Sequence, residues 1–222
     1  MSVTTLDLIR HGKTPEKDKK QDQNESLNAT GFSQAHRTAM YFKNTPLYKI
    51  LYSSPYRRAD ETATVVRNTL HKRGYVVVTD SLLSEISRPL ADGKPYSDKT
   101  LQKYFDWRKG VIFSPNEENI YQRFMDCGES HMEFLKRVGG QALQAFTHPQ
   151  FAGQEIAVFT HSQVILAAKI WIEHGPEPTP HQLMDPFWDR NNFPPNCSIT
   201  KIQFDSESGK WTILESNYTN HL

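Results

Sequence analysis

The chain has little cysteine, no long apolar run and almost no net charge, and each absence removes a class of function. Only two cysteines occur in 222 residues, Cys127 and Cys197. They stand far apart, in no CxxC or Cys/His spacing, which excludes a disulfide framework and a thiolate metal centre and makes a reducing compartment the expectation. No window approaches the ~20 apolar residues that a bilayer-spanning helix needs. The amino terminus enters a strand-like run without the basic segment and apolar stretch of a secretion signal. A cytoplasmic location without a membrane partner is therefore expected. A formal net charge of +1 speaks against a nucleic-acid partner, which calls for a broad basic surface, but leaves room for a locally basic pocket. There is no internal repeat and no low-complexity tract. A composition of 37% hydrophobic and 23% charged residues is that of a globular chain with its own core, and its length suits one domain over residues 1–222.

Strand-like and helix-like runs alternate. Val3 to Ile9 reads as a buried strand that breaks at Gly12 and leaves Arg10 and His11 at its carboxyl end, where open α/β sheets place their chemistry. Thr14 to Glu25 is polar, lysine-rich and without period, which predicts a loop. A helix follows Leu27 and Asn28, with Phe32, Ala35, Ala39, Met40 and Phe42 as its apolar positions, and Asn44-Thr45-Pro46 ends it. Lys49 to Pro55 reads as a second strand and Tyr56 to about Arg73 as a helix with Ala59, Ala63, Val66 and Leu70 inward, stopped by Gly74. Tyr75 to Thr79, with its valine run, is the most strand-like stretch of the chain.

From Ser87 to Gly128 the character changes. Prolines and glycines interrupt a load of aromatics (Tyr96, Tyr104, Phe105, Trp107, Phe113, Tyr121, Phe124) set among lysines and arginines. This predicts an inserted cap over approximately 87–128, built of short helical pieces, or else an ordinary helical excursion with a satellite core. Ser130 and Glu133 form a capping-box pattern that opens a helix to about Phe146. Glu155 to Thr160 is the next strand, with His161 at its end as His11 is at the end of the first, and Ser162 to Ile172 an apolar helix. A proline-spaced helix or loop reaches Trp188. Ser198 to Phe204 and Trp211 to Glu215 complete a hairpin. The alternation implies an α/β three-layer sandwich, a mostly parallel central sheet with helices on both faces.

Four strand-to-loop junctions hold the reactive side chains: Arg10-His11-Gly12, then Pro55-Tyr56-Arg57-Arg58-Ala59 with Thr62-Ala63, then Leu83-Ser84-Glu85, then Thr160-His161-Ser162. In order, spacing and identity they resemble the histidine phosphatase superfamily, the group that includes cofactor-dependent phosphoglycerate mutases and many small phosphatases. The similarity runs over nearly the whole chain. It takes in Leu27, Gly31, Gln34 and Ala35, Ser53-Ser54-Pro55, Gly128-Glu129-Ser130 and Asn196-Cys197-Ser198.

The resemblance implies that His11 attacks phosphorus and becomes phosphorylated while Arg10, Arg58 and His161 surround the transferring group. Physical chemistry agrees, since a phosphoryl group in flight spreads negative charge over three oxygens and is stabilised by preorganised positive donors. Arginine offers these in a planar fork that keeps its charge at physiological pH. His11 must be neutral at the attacking nitrogen, whereas His161 contributes most when protonated. Of the adjacent arginines the family pattern selects Arg58, directly before Ala59, and leaves Arg57 to solvent. Glu85 is the candidate general acid/base, because Ser162 excludes the branch with an aspartate directly after the second histidine; Asp80 is a weaker candidate, and Glu85 can also be read as a plain loop carboxylate. Thr14 is a possible further neighbour of the phosphate. Lys17 stands where many members carry asparagine, so either it reaches the phosphate as a point charge or the loop has moved and one donor is lost. The other histidines (36, 71, 131, 148, 174, 181 and 221) read as structural or solvated. No metal and no cofactor is expected, because side chains supply the positive charge.

The implied function is a phosphomonoesterase acting through a phosphohistidine on a small phosphorylated substrate, with Glu85 activating water in the second step. Two alternatives stand beside it: a phosphoglycerate-type phosphomutase, which must retain the phosphoryl group, and a catalytically weak phosphate-recognition module. The core recognises only the phosphoryl group, so the cap sets the substrate. The sequence selects neither a substrate nor an oligomeric state.

Overall fold

A computed structural model describes residues 2–16, 22–70 and 74–222. Its twelve principal elements are β1 (Val3–Arg10), α1 (Ala29–Tyr41), β2 (Ile50–Ser53), α2 (Arg57–Thr69), β3 (Val76–Thr79), α3 (Lys99–Phe113), α4 (His131–Leu135), β4 (Glu155–Thr160), α5 (Ser162–His174), α6 (Pro180–Trp188), β5 (Ile199–Asp205) and β6 (Lys210–Tyr218). The strands form one sheet in the order β3-β2-β4-β1-β5-β6. β1 to β4 are mutually parallel, and β5 alone runs against its neighbours on both sides.

The two central strands are buried on both faces, and their side chains alternate between two cores. Leu6 and Leu8 of β1 and Ile156 and Val158 of β4 join Phe134, Leu135, Ile165 and Leu183 beneath α4, α5 and α6. Ile9, Ala157 and Phe159 point the other way, into Ala39, Phe42, Ala63 and Val66 of the α1–α2 side. This gives the three expected layers. β3, despite its valines, is the sheet edge, and Val76 and Val78 are exposed.

Three expectations need correction. In α1 the buried face is Gly31, Ala35, Thr38 and Ala39, while Phe32 and Met40 are exposed. Helix rotation is set by Gly31, whose Cα side lies against the backbone of Lys13 so closely that a Cβ would overlap it. Second, the 87–128 segment holds one 15-residue helix, α3, rather than only short pieces. Asp98 caps it, accepting from the amides of Thr100 and Leu101 at 2.7 and 3.2 Å. Ala91, Leu101, Tyr104 and Phe124 form a small cluster of their own in this segment. Third, α4 starts with the expected Ser130/Glu133 capping box but passes directly into a π-helical stretch, Lys136–Leu143. The Trp171 indole of α5 lies on Gly139 within that stretch, where any Cβ would overlap the ring.

Candidate active site

Register alone brings the reactive junctions together. Arg10 pairs with Thr160 across β1 and β4, so the next residue of each strand, His11 and His161, emerges at the same edge, with ring centroids 5.3 Å apart. Ser53 pairs with Phe159, which brings Ser54 within 2.8 Å of the His161 Nε2. From the antiparallel side, Ile9 opposite Ile199 sets the start of β5 beside the end of β1. There the Cys197 amide donates to the Arg10 carbonyl (3.0 Å) and Asn196 Nδ2 to the His11 carbonyl (2.9 Å).

His11 is buried and fully oriented. Its Nδ1 lies 2.8 Å from the Gly12 carbonyl, an acceptor only, so Nδ1 carries the proton and Nε2 the lone pair. Burial, then the neighbouring Arg58 and Arg10 charges, hold its pKa well below the ordinary value, so the ring is neutral. The Gly12 amide is tied to Thr62 Oγ1 (3.0 Å), which in turn donates to the Arg58 carbonyl (2.7 Å). Gly12 faces Gly31: a Cβ on it would stand 2.6 Å from the Gly31 carbonyl oxygen. This contact seats the histidine loop on the amino end of α1, and Gln34 completes it by accepting from the Lys13 amide at 2.9 Å.

Arg58, in the first turn of α2, is buried and directs Nε at His11 Nε2 (3.1 Å) and a terminal nitrogen at the Asp22 carbonyl (2.7 Å). Arg10 donates to the Pro194 carbonyl at 2.7 Å, while its buried Nε has no partner among the described residues. Burial lowers the pKa of both arginines and Glu85 is the first charge to raise it, so the carboxylate lies in the same electrostatic environment. Arg57, as expected, points outward and pairs with Glu61 at 2.8 Å.

His161 is fully buried, at 0% exposure, and its Nδ1 has no partner among the described residues. Burial and the nearby Arg58, His11 and Arg10 depress its pKa well below the ordinary value. With no anion bound, burial first and the two guanidinium groups second favour the neutral form of both rings.

Glu85 lines a cavity of about 290 Å³ together with Arg58, Tyr56 and Ser162, the first residue of α5. Asp80 instead accepts from the Leu82 amide at 2.9 Å and caps the turn that leads to Glu85. Thr14 is buried, and its carbonyl accepts from Asn28 Nδ2 at 3.1 Å. Lys17 lies outside the described residues, as does His71. His131, read as structural or solvated, is buried between Trp107 and Phe187.

Two arginines without a sequence signal also serve this region. Arg137 forms a two-point ion pair with Glu129 (2.6 and 2.9 Å) and donates to the Leu82 and Ser84 carbonyls (2.6 and 3.1 Å), fixing the turn directly before Glu85. Arg88 is buried in the 87–128 segment and donates to the Ser87 and Glu129 carbonyls. Neither contact leaves a trace in residue spacing, because carbonyls accept at any position.

The sequence profile of the histidine phosphatase superfamily (branch 1) matches residues 6–219. The chain belongs to this superfamily. Within it, the chain is 27% identical over 224 residues to a Bacillus subtilis protein named uncharacterized phosphatase PhoE, covering 99% of this chain and 97% of that one. Its fold is similar to that of a mycobacterial glucosyl-3-phosphoglycerate phosphatase, with a TM-score of 0.73 at 20% identity over 98% of this chain and 100% of the other. A phosphoserine phosphatase variant from Entamoeba histolytica, in complex with phosphoserine, gives a TM-score of 0.71 at 22% identity, with 99% of both chains covered. As a histidine phosphatase superfamily member the chain thus carries the Arg-His-Gly junction at the carboxyl end of the central strand β1, in the crevice that parallel sheets use for ligands.

Proposed function

We propose that this protein is a phosphomonoesterase that works through a phosphohistidine at His11, on a small phosphorylated substrate. The observation that carries the reading is the fixed tautomer: Nδ1–H on the Gly12 carbonyl leaves Nε2 as a neutral nucleophile among Arg10, Arg58 and His161. Substrate phosphate displaces the hydrogen bond from Arg58 Nε, taking the guanidinium fork for its own oxygens and freeing the Nε2 lone pair. The unpaired Nε of Arg10 is a further donor. A phosphate dianion also raises the pKa of His161 by offsetting the two arginines, so this ring takes up a proton as the anion binds.

Nε2 then bonds to phosphorus as the bond to the leaving oxygen breaks, and Glu85 delivers its proton to that oxygen. In the second half, the ionised Glu85 accepts a proton from water as the water oxygen bonds to phosphorus, and the P–N electron pair returns to His11. Two arginines and the protonated His161 provide the stabilising charge, which fits a mechanism without a metal or cofactor. The 87–128 segment, which contributes Arg88, Tyr96 and Tyr104 to the cavity beside Glu85, acts as the cap that selects the leaving group. The naming of the Bacillus subtilis relative as a phosphatase supports hydrolysis over mutase transfer.

The test is Glu85→Gln followed in single turnover. Its phosphorylation step is expected to slow by on the order of 10²–10⁴-fold with an alkyl phosphate and far less with a p-nitrophenyl ester, whose phenolate leaves without a proton. Equal slowing with both esters would remove Glu85 as the acid.

A further inference from the structure

The cavity beside Glu85 is not a closed end. Phe105, Arg108 and Gln163 line it and also line a second cavity of about 750 Å³, which opens between α3 and α6. The two differ in how their cations are balanced: in the inner cavity Arg58, Arg88 and Arg108 face Glu85 and Asp92, whereas the outer one is lined by Arg108 and Lys109 with no acidic residue, and by Phe105, Phe187 and Phe193.

Most arginines of this region are used internally: Arg88 on carbonyls, Arg123 on Glu133, Arg137 on Glu129. Arg108 is different. It is half-buried at the junction and makes no hydrogen bond or ion pair among the described residues. An arginine held by packing at the joint of two cavities, without an anion of its own, is placed to meet one on a ligand. The surrounding phenyl rings add a surface for an apolar or aromatic body.

Resting on the phosphomonoesterase reading, we propose that the leaving group is extended and amphipathic: it passes Glu85, lays an apolar or aromatic body on Phe105, Phe187 and Phe193, and presents a second oxyanion to Arg108 and Lys109. Carboxylate and phosphate share this chemistry. Near the ester Arg58 is taken by the phosphoryl group and Arg88 by carbonyls, so the second charge sits at the far end, beside Arg108 and Lys109.

Three esters with nearly matched leaving groups test this: phenyl phosphate, biphenyl-4-yl phosphate and 4′-carboxybiphenyl-4-yl phosphate. At low salt the wild type is expected to show a kcat/KM for the carboxylated ester about two- to fivefold above the neutral biphenyl ester, the range of a partly exposed ion pair. The ratio should fall in Arg108→Gln, which leaves only Lys109, and approach one at high salt. No carboxylate preference in the wild type, or a ratio unchanged by Arg108→Gln, overturns the proposal. A 4′-phosphonate in place of the carboxylate reports which oxyanion is preferred, and rejection of both anions again overturns it. Binding of the corresponding non-hydrolysable phosphonates by calorimetry repeats the comparison without turnover. An enzyme inactive on every ester that still prefers the carboxylated phosphonate would overturn the catalytic reading and leave this subsite standing.

Discussion

Arg58 donates through Nε and a terminal nitrogen to two acceptors at once, His11 Nε2 and the Asp22 carbonyl. Lysine keeps the charge but has no second, rigidly spaced donor. Arg58→Lys is therefore expected to lower kcat by on the order of 10²–10³-fold, the cost of a preorganised donor to a developing oxyanion. Vanadate inhibition should weaken in parallel; undiminished vanadate affinity in the variant would place Arg58 outside the phosphate shell. Residues of this kind were legible because the chemistry dictates their type: His11, Arg10, Arg58 and His161 stand at strand ends or in the first turn of a helix, where a parallel sheet gathers them. Arg88 and Arg137 were not legible. They bind carbonyls and a glutamate from another loop, and nothing in the local sequence distinguishes such an arginine from a solvated one.

The elements followed the same division. β4 was readable as a buried strand from its unbroken apolar run Ile156 to Phe159, and β1 from Leu6, Leu8 and Ile9 despite Asp7 between them; both stop at a histidine. β3 read as the most strand-like run on valine content, yet it is the edge, because valine content reports backbone preference and says nothing of position in the sheet. α3 was obscured because aromatics fall around the whole helix, some toward the small cluster and some toward the cavities. The π-helical stretch was invisible, since the contact that goes with it, Trp171 resting on Gly139, lies some thirty residues on. Gly139→Ala should lower the unfolding free energy by about 1–3 kcal/mol through overpacking, seen as an earlier urea midpoint. An unchanged midpoint would mean that the indole has room to move.

Over the whole molecule, buried ionisable groups pull stability in opposite directions with pH. His11, His131 and His161 are held neutral with depressed pKa, chiefly by burial. The unfolded chain therefore binds more protons than the native one as pH falls through about 6.5, and stability is lost on acidification. Asp7, fully buried beside Lys201 and Glu155, has the reverse effect. Burial pushes its pKa up to about 7 against the lowering effect of Lys201. From the ordinary carboxylate range up to about 7 the native state holds the extra proton, so this group's contribution declines as pH rises. Asp7→Asn removes that decline. Urea unfolding at pH 5 and pH 8 should show the variant gaining on the wild type by on the order of 2 kcal/mol between the two; parallel changes in both proteins would show that Asp7 does not titrate in this window.

The catalytic consequences depend on His11 becoming phosphorylated. The direct measurement is rapid mixing of enzyme with an excess of p-nitrophenyl phosphate, quenching in alkali to preserve acid-labile P–N bonds, and peptide mapping by mass spectrometry. The account predicts a phosphoryl adduct on His11, formed at the rate of the p-nitrophenolate burst and absent from His11→Ala. Phosphate release with the adduct on another residue, or a burst that persists in His11→Ala, would contradict it.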